Sequence, residues 1–236
     1  MSLRLALVGD GKMSRAIAAL ATSGGHRVVT VVTGGENPGG RALTVERLAG
    51  VDVALEFTRP ECAADNLIRL AALGIPAVAG TTGWQARLEE VTQAVTAHGA
   101  ALVHSANFST GVQLFLRAAT ALAREFAGRP EFAAAVIETH HAAKRDAPSG
   151  TARALLAALR SGDAGRDAPV TSIRTGYVPG THELRYDAPW ETIQLVHTAR
   201  GREAFAAGAL RAAEWVVGRR GVFGFDEVLF GKAGEA

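Results

Sequence analysis

Along the first hundred residues the apolar positions switch between two periods. Leu3 to Val8 is a short apolar run cut off by Gly9-Asp10-Gly11, after which Met13, Ile17, Leu20 and Ala21 recur at helical spacing. That reads as strand, tight turn and helix. Arg27 to Val32 is rich in β-branched residues and predicts a second strand; Val51 to Phe57 predicts a third, followed by a helix that starts at Pro60 and runs to about Leu73. Ile75 to Ala79 predicts a strand, Gln85 to His98 a helix and Ala101 to His104 a strand. Strict alternation of this kind implies right-handed crossovers and a mainly parallel, doubly wound sheet.

After Asn107 the rhythm changes. A helix is predicted over Val112 to Phe126, then strands at Phe132 to Thr139, Val170 to Thr175, His182 to Tyr186 and Glu191 to Val196, a helix over Arg202 to Val217 and a last apolar segment from Gly221 to Phe230. The expected fold class is α/β: an N-terminal Rossmann-like doubly wound parallel sheet with a second α+β domain built on an open mixed sheet. The expected division is a dinucleotide-binding domain of residues 1–108, completed by 209–236, and a substrate-binding and oligomerisation domain of residues 109–208. A length of 236 residues suits one large domain or two small ones.

Composition narrows the partners. With 48% hydrophobic and 20% charged residues the chain is an ordinary globular sequence, and no stretch approaches the roughly 18 consecutive apolar residues of a bilayer span. Cys62 is the sole cysteine, so a disulfide framework and a cysteine-based zinc finger are ruled out and a reducing cytoplasm fits. The net charge of +2 comes with no run of like charges, which points to a small-molecule partner, with neither nucleic acid nor membrane. Only Lys12, Lys144 and Lys232 among the 25 cationic residues are lysines, so each stands out against arginine.

Gly9-Asp10-Gly11-Lys12-Met13-Ser14 follows a strand and opens a helix, the context in which glycines let a backbone approach a pyrophosphate and a helix N-terminus offers free N–H groups. The third glycine of the usual fingerprint is absent, with Ser14 near its place, and an ordinary strand-to-helix turn is the other reading. Gly80-Thr81-Thr82-Gly83 and Ser105-Ala106-Asn107-Phe108 sit at further strand ends, where open α/β sheets collect ligands. Either is also compatible with a plain turn or cap.

The densest constellation runs from Glu138 to Ala152 and leads into a helix. Adjacent His140 and His141 on extended backbone point in opposite directions, so the pair does not form a metal site by itself, and no metal is expected. Lys144 can give up a proton where arginine cannot. Ser149 is a candidate N-cap, and the Gly150 and Thr151 amides form a cradle for a carboxylate. These residues suit a small anionic substrate that needs both anchoring and a proton.

The string Glu138-x-His140-His141-x-x-Lys144-x-Asp146-x-Pro148-Ser149-Gly150-Thr151-Ala152 resembles the signature of the 4-hydroxy-tetrahydrodipicolinate (dihydrodipicolinate) reductases of bacterial lysine and diaminopimelate synthesis. Supporting matches are Gly9-x-Gly11-x-Met13, Glu56-Phe57-Thr58-x-Pro60-Glu61, Gly80-Thr81-Thr82-Gly83, Ala106-Asn107-Phe108-Ser109 and Arg174-x-Gly176-x-x-x-Gly180-x-His182-Glu183. The resemblance implies NADPH- or NADH-dependent reduction of a small dicarboxylate. It makes His140 a proton donor or acceptor, Lys144 a proton donor that also holds substrate, and His141, Gly150 and Thr151 substrate contacts, joined by Ser149. It lays the cofactor on Gly9 to Ser14, Gly80 to Thr82 and Ser105 to Phe108, with closure around hinges near Asn107 and Gly208, and it implies a homotetramer assembled through the second sheet.

The second strand ends in Thr33-Gly34-Gly35 before Glu36, so no carboxylate is fixed directly at the strand end, although Glu36 can swing in from the flexible loop and keeps NADH open. Lys12 and Arg41 could reach a 2′-phosphate, and use of both cofactors with a lean toward NADPH follows. Two other readings stay open: a related nicotinamide-dependent amino-acid or imine dehydrogenase, and a non-catalytic nucleotide-sensing module.

Overall fold

The computed structural model describes residues 2–231, which form two compact units, one of residues up to Ser109 together with those from Arg202 onward, the other Thr110–Gly201. The first unit is built on strands β1 (Arg4–Val8), β2 (Arg27–Val32), β3 (Val53–Glu56), β4 (Ala77–Ala79), β5 (Ala101–His104) and β10 (Gly221–Gly224). They lie in the order β10-β5-β4-β3-β1-β2 with every pairing parallel. Helices α1 (Lys12–Ser23), α2 (Pro60–Ala72), α3 (Leu88–Ala97), α6 (Glu203–Val216) and the short α7 (Phe225–Phe230) complete it.

The near-continuous apolar runs of β1 and β3 follow from coverage on both faces. Leu5, Leu7, Val53 and Leu55 pack with Ile17 of α1 and with Ala206, Ala209, Ala212, Ala213 and Val216 of α6. The intervening Ala6, Val8 and Ala54 face Ala63, Leu67 and Leu70 of α2 and Val91 and Val95 of α3. Helix α6 belongs to this core along its length, so the chain returns to the first unit at Arg202, seven residues before the 209 read from the sequence. The hinge expected near Gly208 also needs correction: Gly208 lies inside α6 and is buried. The segment Gly221 to Phe230 returns as an edge strand beside β5 followed by α7; residues 232–236 lie outside the described ones.

The second unit carries β6 (Ala133–His140), β7 (Val170–Arg174), β8 (Thr181–Ala188) and β9 (Glu191–Thr198) in the order β7-β6-β8-β9, with helices α4 (Thr110–Phe126) and α5 (Gly150–Gly162). β6 and β7 are parallel, joined through α5, while β6–β8 and β8–β9 are antiparallel. Along β6 burial alternates strictly, and its buried set ends in Glu138 and His140. The apolar members of that face, Ala134 and Val136, join Leu184 and Tyr186 of β8 and Phe115, Ala119, Leu155 and Leu159 of the two helices. No helix among the described residues is long and apolar enough to cross a membrane.

Candidate active site

In the first unit the predicted loops converge on one edge of the sheet because parallel strands end together. Gly9 to Met13 leaves β1, Phe57 and Thr58 leave β3, Gly80 to Gly83 leaves β4 and Ser105 to Phe108 leaves β5. The strand order reverses at β1, which has β2 on one side and β3 on the other, and that reversal is where doubly wound sheets take ligands. Gly9 has φ +108°, and a Cβ there would stand 2.4 Å from the Phe57 carbonyl oxygen. A Cβ on Gly80 would stand 2.0 Å from the Phe57 ring. Both glycines are therefore needed for close passage over Phe57, a residue that sequence reasoning quoted without giving it a role.

Helix α1 has Gly11 at its N-cap, no side-chain cap and no acid in its first turn, so its N-terminus is unopposed for an anion. Lys12 and Asp10 are exposed, Met13 is half-buried, and Ser14 is buried with its Oγ unpaired, packed where the third glycine would stand. Thr81 is buried and its Oγ1 accepts from the Thr58 amide at 2.8 Å; Thr82 is exposed. Asn107 Oδ1 accepts from the Ser109 amide at 2.9 Å, and Ser105 Oγ donates to the Asn107 carbonyl at 2.9 Å, so this loop is locally braced. Ala106 is exposed and Phe108 is buried against Phe57 and Phe225. These features fit a dinucleotide: close backbone at two glycines and an uncapped helix start.

Beneath the loops lies Glu56, fully buried at the end of β3. Burial pushes its carboxyl above the ordinary value, opposed by hydrogen bonds from Thr58, Thr81 and Asn66. Asn66 in turn accepts from Asn37 at 2.8 Å, which ties the loop after β2 to the loops after β3 and β4.

No acid follows β2 directly, and of the two readings left open for this loop the structure shows the one in which Glu36 swings in. Glu36 folds back so that its Oε1 accepts from the Thr33 amide at 2.6 Å and from Arg47 Nη2 at 2.8 Å. The Arg47 hydrogen bond, then the Thr33 amide, hold its carboxyl down at about 2. Two flexible glycines allow a turn that delivers the carboxylate from three residues on. Arg41 is exposed, and Arg47, which sequence reasoning passed over, is the cation that meets Glu36.

In the second unit the centre is Glu138. Strand register sets Ser172 of β7 on one side of it and His182 of β8 on the other. Its Oε1 accepts from the Ser149 amide at 3.0 Å, Ser172 Oγ at 2.7 Å and Arg174 Nη2 at 2.8 Å. Burial disfavours the charged carboxylate, yet the bonds from Ser149, Arg174 and Ser172 outweigh it and hold the group at about 2. His140 is buried two residues on along the same face, with Nδ1 3.3 Å from Glu138 Oε2. Burial lowers its pKa against the opposing pull of Glu138. His182 is lowered further, to about 4, by burial and by His140. His141, the residue just past the end of β6, is half-buried.

The loop from His141 to Pro148 is pinned at several points. Ala142 N donates to the Gly176 carbonyl at 3.1 Å, and Arg174 Nη2 reaches the Asp146 carbonyl at 2.6 Å. Lys144 Nζ donates to Asp146 Oδ1 at 2.7 Å and holds that carboxyl below its usual range. The Ala147–Pro148 bond is cis. Ser149 is the N-cap of α5, with Oγ accepting from Ala152 N at 3.2 Å. Gly150 is exposed and Thr151 half-buried on the first turn, which has no acid. The structure thus brings His140, His141, Lys144, Ser149, Gly150 and Thr151 into one short stretch around the start of α5. Glu138, Ser172, Arg174 and His182 join them; the last two lie in a stretch quoted above, but their pairing depends on register.

Two family models cover the chain. Dihydrodipicolinate reductase, N-terminus, matches residues 3–108, and dihydrodipicolinate reductase, C-terminus, matches residues 111–229. A 4-hydroxy-tetrahydrodipicolinate reductase from Christiangramia forsetii is 30% identical over 96% of this chain and 98% of its own length. One from Methanoregula boonei is 38% identical over 75% of this chain and 74% of its own. Among solved structures, a dipicolinate-bound dihydrodipicolinate reductase from Paenisporosarcina sp. TG-14 shares the fold, with TM-score 0.77 and 21% identity over 96% of this chain and 99% of that one. Matched in both halves and along nearly the full length of a relative, the chain belongs to the dihydrodipicolinate reductase family, NAD(P)H-dependent oxidoreductases of lysine and diaminopimelate synthesis.

Proposed function

We propose that, in the reduction of 4-hydroxy-tetrahydrodipicolinate that this family performs, His140 and Lys144 handle the proton while the start of α5 anchors substrate carboxylate. The observation that carries this reading is that both titratable side chains lie on the one segment that runs into the Ser149-capped helix, whose first turn holds no competing acid. The cofactor, when bound, would supply a hydride from the reduced nicotinamide to the conjugated ring left once the substrate's 4-hydroxyl has departed as water. Gly9 to Met13, Gly80 to Thr82 and Ser105 to Phe108 hold it. Gly150 and Thr151 present first-turn amides to a carboxylate, His141 flanks it, and Lys144 meets the substrate's negative charge. Protonation of the enamine left by the hydride falls to Lys144 or His140.

The test is turnover, followed by nicotinamide absorbance with enzymatically generated substrate. Pyridine-2,6-dicarboxylate, planar and unreactive, is expected to compete with substrate. The solved dipicolinate-bound relative motivates this choice of probe. Absent inhibition at millimolar concentration, or inhibition unchanged in Thr151→Val plus Lys144→Ala, would remove the dicarboxylate cradle.

Cofactor choice follows from Glu36. A carboxylate at the end of the second strand bonds a ribose 2′-hydroxyl and repels a 2′-phosphate, so the lean is toward NADH, with Arg47 as the counter-charge that admits NADPH. Glu36→Gln is expected to raise the NADPH to NADH ratio of kcat/KM about tenfold, the worth of one charge-assisted hydrogen bond. Dissociation constants for both cofactors check it, and an unchanged ratio sinks it.

Homotetramer assembly through the second sheet is supported by apolar side chains left open there: Ile173, Val196, Trp190 at 95% exposure and Tyr177 at 98%. Sedimentation should give the mass of four chains; a monomer ends the idea. A cytoplasmic site of action, checked by cell fractionation, agrees with the free, half-buried Cys62.

A further inference from the structure

Glu138 is 0% exposed, a position where a charged carboxylate persists only if it is paired and hydrogen-bonded. Its two oxygens serve different partners. Oε1 is filled by the Ser149 amide, Ser172 Oγ and Arg174 Nη2. Oε2 takes no hydrogen bond from the described residues and faces two imidazoles, His140 Nδ1 at 3.3 Å and His182 Nε2 at 3.7 Å. His182 Nε2 is nearer to Ser149 Oγ, at 3.1 Å, which leaves His140 as the partner of Oε2. Nδ1 of His140 is likewise buried without an aligned hydrogen bond. Two orphaned buried atoms thus face each other, in ion-pair range and slightly out of line, as resting catalytic pairs often are.

A neutral imidazole carries one N–H. With the proton on Nδ1, the N–H faces Oε2 at an N···O distance of 3.3 Å, and a rotation of the ring brings the two orphans into a hydrogen bond. With the proton on Nε2, a lone pair on Nδ1 would stand against a carboxylate oxygen in a buried setting, leaving both unsatisfied. The other edge of the ring, at Nε2, lies against the Gly180 backbone, where a Cβ would come within 3.0 Å of it. A side chain at residue 180 would press on the ring.

We propose that Glu138 is a positioning residue for the reaction: through Oε2 it fixes the ring and tautomer of His140, and through Oε1 it sets the Ser149 amide at the entrance of α5. One carboxylate so ties the proton-transferring group to the substrate cradle. The proposal rests on the proton-transfer reading of His140. The charged and titratable groups facing His140 are Glu138 on β6, Arg174 on β7, His182 on β8, and Lys144 and Asp146 on the loop. Glu138 and Asp146 favour the protonated ring, while burial, Lys144 and Arg174 disfavour it. Removing the Glu138 charge must therefore lower the pKa of His140.

Ring nitrogen spectra of 15N-histidine-labelled, substrate-free protein test this. The expected result is a neutral His140 protonated on Nδ1; an Nε2–H tautomer overturns the proposal. In Glu138→Gln the His140 pKa is expected to fall by about one pH unit, as for loss of an opposite charge at this distance. The matching limb of the kcat/KM profile moves to lower pH by the same amount. Glu138→Asp should restore part of the shift. A folded Gln variant with an unmoved pKa overturns the proposal, and if that variant does not fold, the wild-type tautomer decides alone. Since the tautomer is read without turnover, failure of the proton-transfer reading, seen as retained turnover in His140→Gln, is recognised separately.

Discussion

Lys144→Ala is expected to lower kcat by about a hundredfold or more while leaving affinity for NADH and NADPH nearly unchanged. Lys144 lies in the second unit, on the loop between β6 and α5, whereas the loops proposed to hold the cofactor belong to the first. An ammonium has three donors, and Asp146 occupies one of them at 2.7 Å. That ion pair is partly exposed, worth about 1 kcal/mol at most, so a substrate carboxylate competes with it readily. Lys144→Arg keeps the anchor but cannot give up a proton at accessible pH, and it should not restore turnover. Steady-state kinetics with separate kcat and KM decides between the roles. Near wild-type kcat in the arginine variant would make Lys144 an anchor alone.

Gly208→Ala should destabilise the protein by about 3 kcal/mol, a drop in Tm of roughly 6–12 °C for a chain of this size. Helix propensity argues the other way, since alanine is favoured over glycine inside a helix by about 1 kcal/mol. Packing wins because a Cβ at 208 would stand 1.7 Å from the Phe108 carbonyl oxygen and 3.0 Å from Phe225 Cζ. Phe108 cannot withdraw cheaply: its ring is buried between Phe57 and Phe225. Because Phe108 ends one of the loops proposed to hold the cofactor, NADH affinity should weaken together with Tm. Gly34→Ala, in a loop with nothing within 4 Å of the new methyl, is the control and should leave Tm nearly unchanged. A Gly208 variant that melts at or above wild type would contradict the packing argument.

The amino-acid sequence by itself determined most of the secondary structure and the contiguous part of the candidate site. Period-two and period-3.6 patterns are local, so β1 to β5, the principal helices and the change of rhythm after Asn107 could be read directly from them. The stretch from Glu138 to Thr151 is likewise contiguous, and its residues meet because they are neighbours in the chain. What depends on distant segments was decided by the tertiary structure. Pattern cannot tell which sheet a helix covers, and α6 proved to belong wholly to the first core, moving the boundary to Arg202 and turning a supposed hinge glycine into a tight helix contact. A flexible run such as Thr33-Gly34-Gly35 carries no signal of where Glu36 goes; the Thr33 amide and Arg47 fix it. Glu138 was visible as a letter, but its partners Ser172, Arg174 and His182 arrive from other strands through register. A buried charge draws its donors from whatever backbone the fold brings beside it, and that depends on strand pairing between residues more than thirty positions apart in sequence.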